Sequence, residues 1–183
     1  SRSLHLWWRK IHPVMTGLRI SRIQSLALMV GLCASVTVNA ENEAKNGLDF
    51  ELSDGQQFVQ LSKLPAQTTV INFWRFDCPP CIREIPLLAA QARGNKARII
   101  TIALHRPSET LAAPAAVQSA LRPPTIALSG PGEARGLLAR FGNRQGALPH
   151  TLVLDAHRRP CAQRTGEITQ DWLETAIAHC STS

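Results

Sequence analysis

Apolar residues in this chain fall into short continuous runs separated by stretches at helical spacing. Thr69 to Phe73 (TVINF) is a β-rich apolar run ending at Trp74, and Arg98 to Leu104 (RIITIAL) is a second, the pattern of strands covered on both faces. Between them Cys78-Pro79-Pro80-Cys81 opens a helical stretch, Ile82 to Arg93 (IREIPLLAAQAR), that stops near Gly94. Ser108 to Leu121 has helical composition, with Pro114 predicting a kink or an early stop. Thr125 to Leu128 reads as a short strand, and Glu133 to Phe141 places Leu137, Leu138 and Phe141 on one helical stripe before Gly142. Thr151 to Leu154 and Cys161 to Thr165 read as strands joined by the polar turn DAHRR. Gln170 to Cys180 then sets Trp172, Leu173, Ala176 and Ile177 at helical spacing, with Thr169 as N-cap. Strands alternating with helices, closed by a hairpin and a helix, predict an α/β sandwich.

The chain's 183 residues leave room for one domain and an appendage. Leu26 to Val38 (LALMVGLCASVTV) carries no charge, follows Arg19 and Arg22 and precedes Val38-Asn39-Ala40, the pattern of a secretory signal peptide cleaved after Ala40. It is shorter than the ~20 apolar residues of a membrane span. Met15 opens a segment of ordinary signal-peptide proportions and is a candidate true start. The alternative is an uncleaved anchor lengthened by Ile20 and Ile23; a lipidated Cys33 is disfavoured by bulky Leu32 before it. The expected division is therefore a leader over 1–40, a polar tether over 41–47 and one domain over 48–183, placed in the periplasm or another extracytoplasmic space. The formal charge of +7 then changes meaning: residues 1–40 hold five basic and no acidic residues, leaving 15 basic against 13 acidic in the remainder. A nucleic-acid surface is thereby excluded as an expectation.

Cys78 and Cys81 are the most informative pair. Two cysteines three apart at a helix start lie within the ~4.4–6.8 Å between Cα atoms that a disulfide needs. The helix N-terminus stabilises a thiolate on Cys78, the attacking sulfur, while Cys81 resolves the mixed disulfide. A zinc site would need a second close ligand pair, and Cys161 and Cys180 are 19 apart without an adjoining His pair, so no metal is expected.

On these residues a resemblance rests. The segment INFWRFDCPPCIREIPLL, through Phe73-Trp74, the Cys-Pro-Pro-Cys and Glu84-x-Pro86, resembles the active-site strand and helix of the thioredoxin superfamily, in its extracytoplasmic TlpA/ResA-like branch. Leu148-Pro149-His150-Thr151 followed by LVLDAHRRP resembles the family's cis-proline loop and hairpin, and Gly166 its glycine after the last strand; the likeness spans about Leu48 to Ala178. It implies a thioredoxin-like α/β fold, a central mixed β-sheet flanked by helices, and thiol-disulfide oxidoreductase activity with no cofactor beyond the Cys78–Cys81 disulfide. It also implies Pro149 facing the dithiol, Leu148 offering backbone to a substrate peptide, and Trp74 beside them.

Departures from the family pattern bear on the chemistry. Asp77 stands where the family commonly has Trp, placing a negative charge near Cys78. Asn72 stands where cytoplasmic thioredoxins have a buried Asp, so Glu84, one turn past Cys81, is the candidate proton acceptor; a solvated helix charge is the plain alternative. The loop from Gly142 to Pro149 is two residues longer than the family's usual spacing. Pro79 and Pro80 lack N–H groups and leave the Cys78 thiolate fewer donors, which with Asp77 raises its pKa and makes the couple more reducing. The expected activity is reduction of protein disulfides, with a membrane electron carrier re-reducing the dithiol; apocytochrome c cysteines or mis-oxidised envelope proteins are candidate substrates. Contact with a membrane is expected only through an uncleaved leader.

Two rival readings use the same fold. A peroxiredoxin-like peroxidase would carry Thr three residues before its Cys, where Arg75 stands. A copper chaperone, suggested by His150, would use Cys-x-x-x-Cys; a single His at a strand start is more often merely exposed. Cys161 and Cys180 form a possible structural disulfide, because a strand advancing ~20 Å and a helix returning ~15 Å bring them near one another. Which sheet face Cys161 occupies decides it, and the sequence leaves that open.

Overall fold

The computed structural model describes residues 47–182. The leader 1–40, its cleavage after Ala40, the start at Met15 and tether residues 41–46 lie outside the described residues. No helix among the described residues is long and apolar enough to cross a membrane.

Seven strands form one mixed sheet: β1 (Glu51–Ser53), β2 (Phe58–Gln60), β3 (Thr69–Trp74), β4 (Arg98–Ala103), β5 (Ile126–Ser129), β6 (His150–Leu154) and β7 (Pro160–Thr165), in the order β2-β1-β5-β4-β3-β6-β7. The helices are α1 (Pro79–Arg93), α2 (Ala115–Ala120), α3 (Arg135–Arg140) and α4 (Gln170–Ser181). β3 pairs parallel with β4 and antiparallel with β6, so the strand leading into Cys78 is an interior strand of the sheet. All six β3 residues are buried. Alternation divides them between two cores. Val70 and Trp74 pack with Ile85 and Leu88 of α1 and Leu173 and Ile177 of α4, whereas Ile71 and Phe73 pack with Leu138 and Phe141 on the opposite face. Asn72 shares the parity of Val70 and Trp74 and so faces α1.

The helix expected over Ser108–Leu121 is two pieces, a 3₁₀ turn at Pro107–Ala112 and α2. Pro114 explains the break: it forces Ala113 into an extended conformation (φ −68°, ψ 153°) and itself serves as the N-cap of α2. The β1–β2 hairpin has no counterpart in the sequence reading, because strands of three residues with exposed positions carry little periodicity. Gly47, assigned to the tether, is buried at φ +72°; a Cβ there would collide with the His157 carbonyl, and Leu48 N–H donates to Arg158 O at 2.9 Å. The chain is thus fixed to the β6–β7 turn from Gly47 onward.

Candidate active site

β3 ends at Trp74 and the next turn delivers Cys78 as the N-cap of α1, with Pro79 and Pro80 at its first two positions. Proline suits these positions because no intrahelical partner exists there for an N–H. Cys78 and Cys81 are joined by a disulfide with Cα atoms 5.2 Å apart. Cys78 is half-buried and Cys81 fully buried. The Cys81 N–H donates to Cys78 Sγ at 3.3 Å, the first helical amide after the two prolines.

Asp77, exposed beside Cys78, is clasped by Arg75: Nε donates to Oδ1 at 2.8 Å and Nη2 to Oδ2 at 3.0 Å. Arg75 Nη1 donates further to Leu104 O. The hydrogen bond from Arg75 holds the Asp77 carboxyl below its usual range. The negative charge expected of Asp77 beside Cys78 is there, and the Arg75 guanidinium compensates it. The loss of N–H donors at Pro79 and Pro80 stands by itself.

Glu84 is 1 % exposed, so the alternative of a solvated helix charge fails. One turn past Cys81, it points at the sheet, where Asn72 Nδ2 donates to its Oε1 at 2.6 Å and the Ile168 N–H to its Oε2 at 3.1 Å. Asn72 Nδ2 also donates to Thr151 Oγ1 at 3.0 Å, across the β3–β6 register. Burial pushes the Glu84 carboxyl up to about 7, opposed by the Ile168 and Asn72 hydrogen bonds and assisted by the charge of Glu167. A buried carboxyl titrating near neutrality can take up and return a proton at physiological pH.

The bond Leu148–Pro149 is cis. Pro149 is buried and Leu148 half-buried. Pro149 O accepts from the Gly166 N–H at 2.8 Å, with Gly166 at φ +101° where a side chain would be strained. The long preceding loop is closed by Asn143, whose Nδ2 donates to Ala147 O at 2.7 Å and whose Oδ1 accepts the Gly146 N–H at 2.9 Å. Sequence reasoning missed Asn143; an Asn followed by Arg-Gln-Gly was its signal. Where parallel strands β3, β4 and β5 end, a cavity of about 620 Å³ is lined by Arg75, Leu104, His105, Arg106 and Gly130 among others. A second of about 320 Å³ runs from Arg75 and Leu104 past Arg135 to Leu148.

Trp74, read as a substrate-contacting residue, is 1 % exposed and packs edge-on against His105 with ring centroids 4.8 Å apart. It therefore supports the loop from inside, because β3 alternation turns it onto the α1 core. The half-buried Phe76 is the neighbouring aromatic with a surface face, and it too packs on His105 at 5.3 Å. His150 is also inside: Nδ1 lies 2.8 Å from Thr165 Oγ1 and Nε2 2.9 Å from Phe141 O. With both ring nitrogens engaged, the reading of His150 as an exposed strand-start residue is corrected, and it is poorly disposed to bind copper. Among the described residues no three His, Cys, Asp or Glu side chains gather into a metal site. A second disulfide joins Cys161 at the start of β7 to Cys180 in the last turn of α4, Cα atoms 5.7 Å apart. Cys161 faces the α1 and α4 core, which brings the two together.

Comparison with known proteins gives a family and a fold. The pattern of the AhpC/TSA family matches residues 44–159, more than half of the chain. The fold is similar to a thioredoxin-related protein from Neisseria meningitidis serogroup B, with TM-score 0.58 and 22 % identity over 73 % of this chain and all of that one. It is similar to a secreted Mycobacterium tuberculosis disulfide oxidoreductase homologous to E. coli DsbE, with TM-score 0.52 and 21 % identity over 70 % of this chain and 94 % of that one. It is likewise similar to StoA from Bacillus subtilis, with TM-score 0.53 and 15 % identity over 70 % and 96 % of the two chains. No curated protein matches the sequence.

Proposed function

The chain belongs to the AhpC/TSA family, and on that premise we propose that it is an extracytoplasmic protein-disulfide reductase working through Cys78 and Cys81. The observation that carries this reading is the contrast within the dithiol, a half-buried Cys78 at a helix N-terminus and a buried Cys81 behind it; the cis bond Leu148–Pro149 is the one that the family resemblance sets opposite this pair. The Cys78 thiolate attacks one sulfur of a substrate disulfide, forming a mixed disulfide and releasing the other substrate sulfur as a thiolate. Cys81 loses its proton to Glu84 and attacks Cys78 Sγ, which forms the Cys78–Cys81 bond and frees the second substrate thiolate. Two electrons pass to the substrate, and a membrane electron carrier returns two to the dithiol. The Leu148 backbone pairs with the substrate strand, Pro149 shapes the turn, and the cavities beside Arg75 receive the flanking residues.

Pro79 and Pro80 favour the reducing direction, since they withhold helix amides from the thiolate and leave the Cys81 N–H as its donor. The leader in the sequence supports an extracytoplasmic site, as does the description of one similar structure as secreted. Reduction of apocytochrome c cysteines or repair of mis-oxidised envelope proteins suits that placement. The test is insulin reduction beside trapping with Cys81→Ser: turnover by the wild-type protein and mixed disulfides at Cys78 are expected. A glutathione equilibrium placing the couple above about −160 mV, in the oxidant range, overturns the direction.

Family membership favours a peroxidase as the second reading. At the position where such an enzyme would hold Thr, Arg75 is engaged with Asp77 and Leu104 O and offers no hydroxyl. Hydrogen peroxide consumption by the reduced protein at the rate of an ordinary thiol is expected; rapid consumption reverses the choice.

A further inference from the structure

We infer that Asn72 is a positioning residue for Glu84: its carboxamide, oriented by Thr151, donates to the Glu84 carboxylate and so keeps this buried acid able to give up its proton. The inference rests on the reading of Glu84 as proton partner of the dithiol and adds what sets its proton affinity. Asn72, Thr151 and Glu84 are at most 1 % exposed. Asn72 and Thr151 sit opposite each other in the antiparallel register of β3 and β6, so the backbone fixes both side chains relative to the sheet. Both hydrogens of Nδ2 are committed, one to Glu84 Oε1 at 2.6 Å and one to Thr151 Oγ1 at 3.0 Å.

The amide's other atom makes the argument sharper. Asn72 Oδ1 is buried without a hydrogen-bond partner. An orphaned buried acceptor is costly, and an apolar residue of similar volume would avoid the cost. The geometry shows what that cost accompanies: an amide whose two donors face the carboxyl and its orienting hydroxyl. A donor to the charged form lowers a carboxyl's proton affinity, and the Ile168 N–H acts in the same sense. The charge nearest in the chain is that of Glu167, next to Ile168, whose exposed carboxylate pairs with Arg83 of α1 at 2.6 Å; the Cys78–Cys81 disulfide one turn back on α1 is uncharged. An Asp at position 72 would instead put two carboxyls within 2.6 Å of one another, to share one proton as a coupled pair. Asn avoids that coupling and leaves Glu84 to titrate alone.

The test follows the Glu84 carboxyl by ¹³C NMR in glutamate-labelled oxidised protein, its resonance assigned by its loss in Glu84→Gln. Asn72→Leu is expected to raise the Glu84 midpoint by about one pH unit, a tenfold gain in proton affinity. Thr151→Val, which leaves the donor but removes its clamp, is expected to raise it by less. A folded Asn72→Leu protein with an unmoved midpoint overturns the inference; should that variant not fold, an unmoved midpoint in Thr151→Val does the same. The pH profile of insulin reduction separates the two claims. If the NMR midpoint moves and the reduction profile does not, Asn72 positions Glu84 as inferred, and the proposal that Glu84 serves the dithiol fails instead.

Discussion

Replacing Glu84 by Gln should change how stability depends on pH, with a size fixed by burial. In the unfolded chain this carboxyl titrates near its ordinary 4.5, and in the folded protein burial raises it to about 7. Between these values the folded state binds a proton that the unfolded state has lost, so stability falls as pH rises. The full contribution is present below about 4.5 and is gone above about 7, a loss of about 3 kcal/mol at 1.36 kcal/mol per pH unit. Gln is neutral throughout and carries no such loss. Its Oε1 can accept the Ile168 N–H, and its Nε2 can donate to Asn72 Oδ1 once the Asn72 amide, whose Nδ2 faces Glu84 in the wild-type protein, turns over. Any mismatch there is independent of pH and shifts the curve without bending it. Half-buried His105 and buried His150 also titrate, but equally in both proteins, and cancel in the difference. Urea unfolding of the oxidised proteins from pH 4 to 8.5 reads the effect: relative to wild type, Glu84→Gln gains about 3 kcal/mol across that range. Parallel curves would mean that Glu84 is not held neutral by burial and would remove the ground for its proton role.

Three further outcomes are expected. Alkylation of the fully reduced protein labels Cys78 before Cys81, since the first is half-buried and the second has no exposed surface; the reverse order, read by peptide mass, would exchange their roles. Arg75→Ala leaves Asp77 uncompensated beside Cys78 and raises the thiol pKa, so the rate of Cys78 alkylation at neutral pH falls; an unchanged rate would make the Arg75–Asp77 pair irrelevant to the thiolate. The double substitution Cys161→Ala/Cys180→Ala, which opens a loop with a sequence separation of 19, is expected to cost about 3 kcal/mol in urea unfolding, and mild reductant should open Cys78–Cys81 first. A Cys161–Cys180 bond that opens first would point to a second redox centre in place of a staple.

What the sequence made legible followed its strongest local signals. The continuous apolar runs located β3, β4 and β6, and the dithiol at a strand-helix junction located the start of α1. Short-range signals gave out at β1 and β2, too brief for periodicity, and at Pro114, whose helical surroundings concealed a break. The site was less legible because its partners come from distant segments. Asn72 was noticed as a missing carboxylate within TVINFW, yet its meeting with Glu84, 12 residues on, depends on strand parity and helix phase together. Trp74 likewise carries an aromatic suited to a substrate surface until parity turns it inward. Cys161 and Cys180 lay at a plausible distance, and only the face taken by Cys161 could pair them.

The energetics of Glu84 and of the Cys161–Cys180 disulfide bear on each other. A buried carboxyl that loses about 3 kcal/mol above neutrality is a large fraction of the 5–15 kcal/mol by which a domain is stable. A packed apolar side chain at position 84 would not lose it, and on the proposed function the acid is retained for its proton exchange with the dithiol. The staple between Cys161 and Cys180 contributes about as much in the opposite sense. It also encloses Ile168, which supplies one of the two N–H donors to Glu84. Holding the ends of that segment together keeps the donor in place when the carboxyl is charged. On the proposed reading, with Cys161–Cys180 structural and Cys78–Cys81 redox-active, the first disulfide offsets the cost of the carboxyl that serves the second, and it encloses the segment that supplies part of the carboxyl's hydrogen bonding.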